Sequence, residues 1–165
     1  MTRNASLILL YITIAGVTAV TKRPSFSSST ATTEMDESTK DILARLTNIN
    51  NKMRIKLGPF YDSDGKYSEA LKDKIADINT IACWFEDTLH LFPGKPLDKK
   101  EKLIKKTKKL ARKFARKVDA LKKETVHMND GEFKGMVDFL GTNIVDFRKI
   151  LNDLNVSLDN LKIYQ

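Results

Sequence analysis

Thirteen of the twenty-five residues from Lys99 to Lys123 are lysine or arginine. At a helical period most of them share the side opposite an Ile104, Ala111, Val118 seam. Counted with Asp98, Glu101, Asp119 and Glu124, segment 98-124 carries +9, against +8 for the whole chain, so the remainder is nearly neutral. Cations at this density with few acids three or four residues away repel one another. What they can do is displace counterions from a polyanion, with an affinity that falls steeply with salt. The expected polyanion-binding set is Lys102, Lys105, Lys106, Lys108, Lys109, Arg112, Lys113, Arg116 and Lys117, and Lys123 continues the face. Partners of matching charge are a sulfated glycan, an acidic extracellular or host protein, or an anionic membrane surface. No aromatic residue falls on this face, which argues against base stacking and so against sequence-specific nucleic acid.

Other reactive side chains are sparse. Glu124-Thr125-Val126-His127 has the Glu-x-x-His spacing of di-metal bundles, but such sites need a second inward-pointing pair at the same level. Here Glu124 and His127 flank the seam residue Thr125. The other histidine, His90, is expected near the opposite end of a bundle, about 35 Å away at 1.5 Å per residue. Cys83 stands two turns from His90 on one helix, a poor arrangement for a nucleophile and its base. Asp62-Ser63-Asp64-Gly65-Lys66 resembles part of a calcium loop, yet Phe60 and Leu71 stand where its first and last carboxylates belong. No catalytic residue, cofactor or metal site is expected, and the chain reads as a non-enzyme.

Three further features concern surfaces. Ile81, Trp84 and Leu91, with Cys83 adjacent, form a second apolar stripe on one helix, either extra core or a partner patch. In an oxidising compartment Cys83 could join two chains as a homodimer, the alternative being a buried free thiol. Asn155-Val156-Ser157 is a sequon that makes Asn155 a candidate glycosylation site if its flank is open.

The elements that would position these residues follow from apolar periodicity. Residues 1-19 read as a signal peptide: Arg3, then an apolar stretch, then Val17-Thr18-Ala19 with small residues at the cleavage positions. The apolar run Ala5 to Val20 falls short of the roughly twenty residues a bilayer span needs. Residues 20-37 are Ser/Thr-rich, lack an apolar period and are expected to be a disordered tail. Residues 38-165 carry four apolar stripes at heptad-like spacing. The first helix is expected near 39-57, capped by Ser38 or Thr39 and ended by Gly58-Pro59, and shorter than the rest. The second runs through Leu71, Ile75, Ile78, Ala82, Phe85 and Leu89 to Phe92. The third opens on an Asp98-Lys-Lys-Glu101 capping box and continues through Ile104 and Phe114 to Met128, with Thr107, Ala111 and Thr125 thinning its seam. The fourth follows Asn129-Asp130-Gly131 and runs from Phe133 to Leu161. Short connections make successive helices neighbours, so the expected fold is all-α, an up-down-up-down four-helix bundle.

With one cysteine no internal disulfide can form, and a secreted domain of this kind must hold by packing alone. The expectation is a secreted, non-enzymatic binding or effector protein, such as one delivered in a secretion to a host, that engages a polyanion as a heparin-binding protein does. The alternatives are a lipid carrier or membrane-active protein that opens its amphipathic helices, and a cytokine-like receptor ligand, whose usual long crossovers are missing.

Overall fold

The computed structural model describes residues 35–61 and 65–163, with side chains through 161. The expected signal peptide, 1-19, lies outside the described residues, as do 20-34 of the Ser/Thr-rich segment and Asp62, Ser63 and Asp64 of the calcium-like loop. Four helices follow one another: α1 Glu37–Tyr61, α2 Glu69–His90, α3 Leu97–Glu124 and α4 Gly131–Ile163.

The helix ends depart from the sequence reading in several places. Asp36 caps α1, its Oδ1 accepting the Thr39 backbone N–H at 2.9 Å, so neither Ser38 nor Thr39 is the cap. Met35 packs against the core, and residues 35–37 therefore belong with the helical body. At its other end α1 continues through Gly58 and Pro59 to Tyr61 and is longer than α2, not the shortest helix. Proline lacks the N–H that would bond back to Ile55, but buried Phe60 anchors the last turn. Its ring lies edge-on to Phe133, centroids 5.6 Å apart, and beside Tyr67 at 6.1 Å. The capping box on α3 does not form: Pro96 is the cap residue, without a side-chain bond, and Asp98 sits inside the first turn, where a carboxylate favours the helix dipole. The same helix stops at Glu124, with Thr125 as its C-cap. In α4, Asp130 is the cap, Oδ1 accepting from the Phe133 N–H at 2.9 Å.

α1 packs on α2 and α4, and α3 packs on α2 and α4, so the four helices close a ring around one core. Phe85 is its centre, 4.6 Å from Phe147 of α4 and 5.8 Å from Phe114 of α3 between ring centroids. The seam of α3 is thin as the sequence implies: Thr107, Ala111 and Thr125 are all buried, and the Thr107 and Thr125 hydroxyls turn back to carbonyls of their own helix, Leu103 and Leu121. Asn50 is buried in the α1–α2 interface and donates from Nδ2 to the Ala82 carbonyl at 3.0 Å. Arg54 reaches Glu86 just outside it. That pair meets because side chains on both helices lean toward their own N-termini.

Candidate functional site

The basic face is built by the period of α3. Ile104, Thr107, Ala111, Phe114, Val118 and Leu121 take the buried positions, which turns Lys102, Lys105, Lys106, Lys109, Arg112, Lys113, Arg116 and Lys123 outward into solvent. Lys108 and Lys117 sit half-buried on the two flanks. Lys100 leaves the row: it falls four residues before Ile104, on the core side, and is only 2 % exposed. Burial lowers its pKa, partly offset by the charge of Asp36. The spacing to Ile104 was the signal that could have separated it from the other cations.

Lys117 is compensated, its Nζ 2.5 Å from Asp77 on α2. That hydrogen bond and charge, with a smaller contribution from Lys113, hold the Asp77 carboxyl below its ordinary value. Among the described residues none of the other eight expected binding residues is in an ion pair, although Arg116 Nε donates to the Arg112 carbonyl at 3.4 Å. Beyond the stripe, Lys122 pairs with Asp138 of α4, and Glu124 with Lys74 of α2. Neutralisation is therefore concentrated at the C-terminal end of α3, and the middle of the helix keeps its full charge.

The middle of the face borders a groove that the helix sequence alone does not reveal. Trp84 of α2 is 42 % exposed, and with Leu110, Lys106, Lys109, Lys113 and Arg116 it lines a space of about 450 Å³. Lys113 Nζ stands 5.3 Å from the indole centroid, within cation–π range. The second flank meets α4, where Lys108 and Arg112 face Arg148 across a smaller recess of about 230 Å³. The heptad reading of α2 places Trp84 off its seam but does not say which neighbour it faces. The usable signal was the short Phe92 to Pro96 connection, which makes α2 and α3 adjacent.

The rest of the expected apolar patch divides. Ile81 is buried at 1 % exposure and is core, because α2 lies between α1 and α3 and is covered on two sides. Cys83 is a half-buried free thiol, and Leu91 is exposed. Asn155 is half-buried, its amide donating to Asp159 Oδ2 at 2.8 Å, while the Ser157 hydroxyl lies 3.0 Å from that of Thr39. The sequon thus has one residue engaged at the α1–α4 seam. Lys74 at the start of α2 pairs with Glu124, which sets the Glu-x-x-His segment at the end of α2 away from His90. Among the described residues no three His, Cys, Asp or Glu side chains gather as a metal site, and no helix is long and apolar enough to cross a membrane. The described chemistry is that of a cationic face with one aromatic neighbour. Compared with protein-family models, curated proteins and solved structures, the chain matches none of them.

Proposed function

We propose that this is a secreted, non-enzymatic binding protein that captures a sulfated glycan along α3. The observation that carries the reading is the uncompensated middle of the stripe: eight of nine expected cations lack an ion-pair partner among the described residues, at a cost in repulsion that a bound polyanion would relieve. From Lys102 to Arg116 the row extends about 21 Å at 1.5 Å per residue, a linear array suited to a linear polymer. The apolar faces are committed to the core, which supports a stable binding surface over a bundle that opens around lipid.

The proposed architecture behind it is up-down-up-down. Thr39 beside Ser157 and Phe60 against Phe133 support opposed directions for α1 and α4. Contacts of Trp84 with Lys113, Asp77 with Lys117 and Lys74 with Glu124 support the same for α2 and α3. Each helix then braces the next, and the stripe is backed by α2 and α4.

Chromatography on immobilised heparin tests the function. The protein should be retained past physiological salt. A variant with Lys105, Lys106, Lys108, Lys109, Arg112, Lys113, Arg116 and Lys117 changed to Gln should elute at or below it, with an unchanged helical circular-dichroism spectrum. Elution of both proteins at the same salt overturns the proposal.

A further inference from the structure

The groove beside the stripe offers something that a row of cations does not. An exposed indole lies next to four cationic side chains, one of them over the ring, on a floor shared with Leu110. Its volume of about 450 Å³ falls in the ordinary range of small-ligand sites. We propose that this groove is a subsite for one sulfated sugar unit of the glycan, the pyranose C–H face replacing the Lys113 ammonium over Trp84 and its sulfates meeting Lys106, Lys109, Arg116 and the displaced Lys113. This rests on the polyanion reading above and adds to it a fixed point of register along an otherwise uniform array.

The chemistry favours a sugar over the other anionic polymers. Single-stranded nucleic acid is held by successive aromatic platforms under successive bases, and only one tryptophan exists in the chain. An acyl chain needs a continuous apolar channel, whereas Trp84 and Leu110 are the two apolar side chains of a lining otherwise made of cations. A sulfated sugar combines what the groove combines: a small weakly apolar face and several anions around its edge. Sulfates that reach all four cations at once would also be desolvated against the indole, where charge-assisted contacts are stronger than in open water.

Because Trp84 is the sole tryptophan, its emission reports on the groove directly. Titration with size-defined heparin oligosaccharides should change Trp84 emission saturably, whereas sodium sulfate at matched ionic strength should not. By calorimetry, Trp84→Ala should weaken oligosaccharide binding on the order of tenfold, the scale of one stacked aromatic, and leave the slope of log affinity against log salt unchanged. Trp84→Phe should recover part of the loss. Lys106→Gln with Lys109→Gln should flatten that slope, since those groups act through counterion release. Trp84 is surface-exposed, so the variants should keep the helical spectrum of the parent, and a loss that accompanies a changed spectrum would count against the groove. Retention on heparin with no change in Trp84 emission overturns the subsite and leaves the stripe standing. Loss of heparin retention in the unmodified protein removes the stripe and the subsite together. An equal emission response to a single-stranded oligonucleotide or to anionic phospholipid vesicles overturns the assignment to a sugar.

Discussion

Asp130 shows how much one carboxylate can organise. Its Oδ1 accepts the Phe133 N–H at the start of α4, and its Oδ2 accepts the Tyr67 hydroxyl at 3.0 Å and lies 3.3 Å from Lys66 Nζ. One residue thus closes the α4 cap and ties the α1–α2 connection to the α3–α4 corner. The Phe133 N–H, then the Tyr67 hydroxyl and Lys66, hold its pKa below the ordinary 3.8, against an opposing effect of burial. A carboxyl whose folded pKa is the lower one stabilises the fold above its unfolded pKa, and that contribution is lost as pH falls through the folded value. Asp130→Asn keeps an oxygen for the cap but removes the charge. The variant should therefore melt below the parent near about pH 7, and the gap should close as pH falls through the folded value of Asp130, in circular-dichroism melts across the acid range. A gap that stays constant with pH would mean that shape, not charge, is what Asp130 supplies.

At the scale of the element, α3 presents its charge on a narrow apolar base. Phe114 is fully buried against Phe85, whereas Thr107 is equally buried but bonds only to Leu103 of its own helix. Thr107→Val breaks no contact between helices and leaves the Leu103 carbonyl its helical partner. It should raise stability by about 0.5–1 kcal/mol, the scale of one buried methyl group. Phe114→Ala should cost about 3–5 kcal/mol, so urea midpoints of the two variants should move in opposite directions. Equal small shifts would show that the seam is not held where the burial pattern puts it. Four helices and most core positions were legible in the sequence because each stripe repeats at the helical period and depends on nothing outside its own segment. What was not legible depends on neighbours. Pro59 stays helical because Phe60 finds Tyr67 and Phe133; Asp36 caps α1 from a segment with no apolar period; Pro96 takes the cap position ahead of Asp98. The candidate site divides the same way. The exposed cations follow from period alone, but Lys100 enters the core and Trp84 joins the cations only once α2 lies beside α3.

For the whole molecule, the distribution of charge matters more than its total. The chain carries +8, yet α1 and α2 hold ion pairs such as Lys40 with Glu37 and Lys72 with Glu69, while the densest group of open cations lies on one face of α3. If a polyanion senses net charge, any four lysines are equivalent. If it senses the local field, within a Debye length of about 8 Å at physiological salt, they are not. Two charge-matched variants separate these cases: Lys102, Lys105, Lys106 and Lys109 to Gln on the stripe, or the exposed Lys52, Lys56, Lys134 and Lys149 to Gln away from it. Each lowers the net charge by the same four units. For nucleic acids every neutralised anion contributes about 0.7–0.9 to the slope of log affinity against log salt, and a sulfated glycan should obey the same counterion logic. The stripe variant should lose about half of that slope, and the distal variant should keep nearly all of it, when heparin affinity is measured from low to physiological salt. Equal flattening in both would mean that the protein attracts polyanions as a diffuse positive body and that the alignment of α3 has no part in binding. Unequal flattening locates recognition in the alignment itself, a property of one helix that packs against α2 and α4.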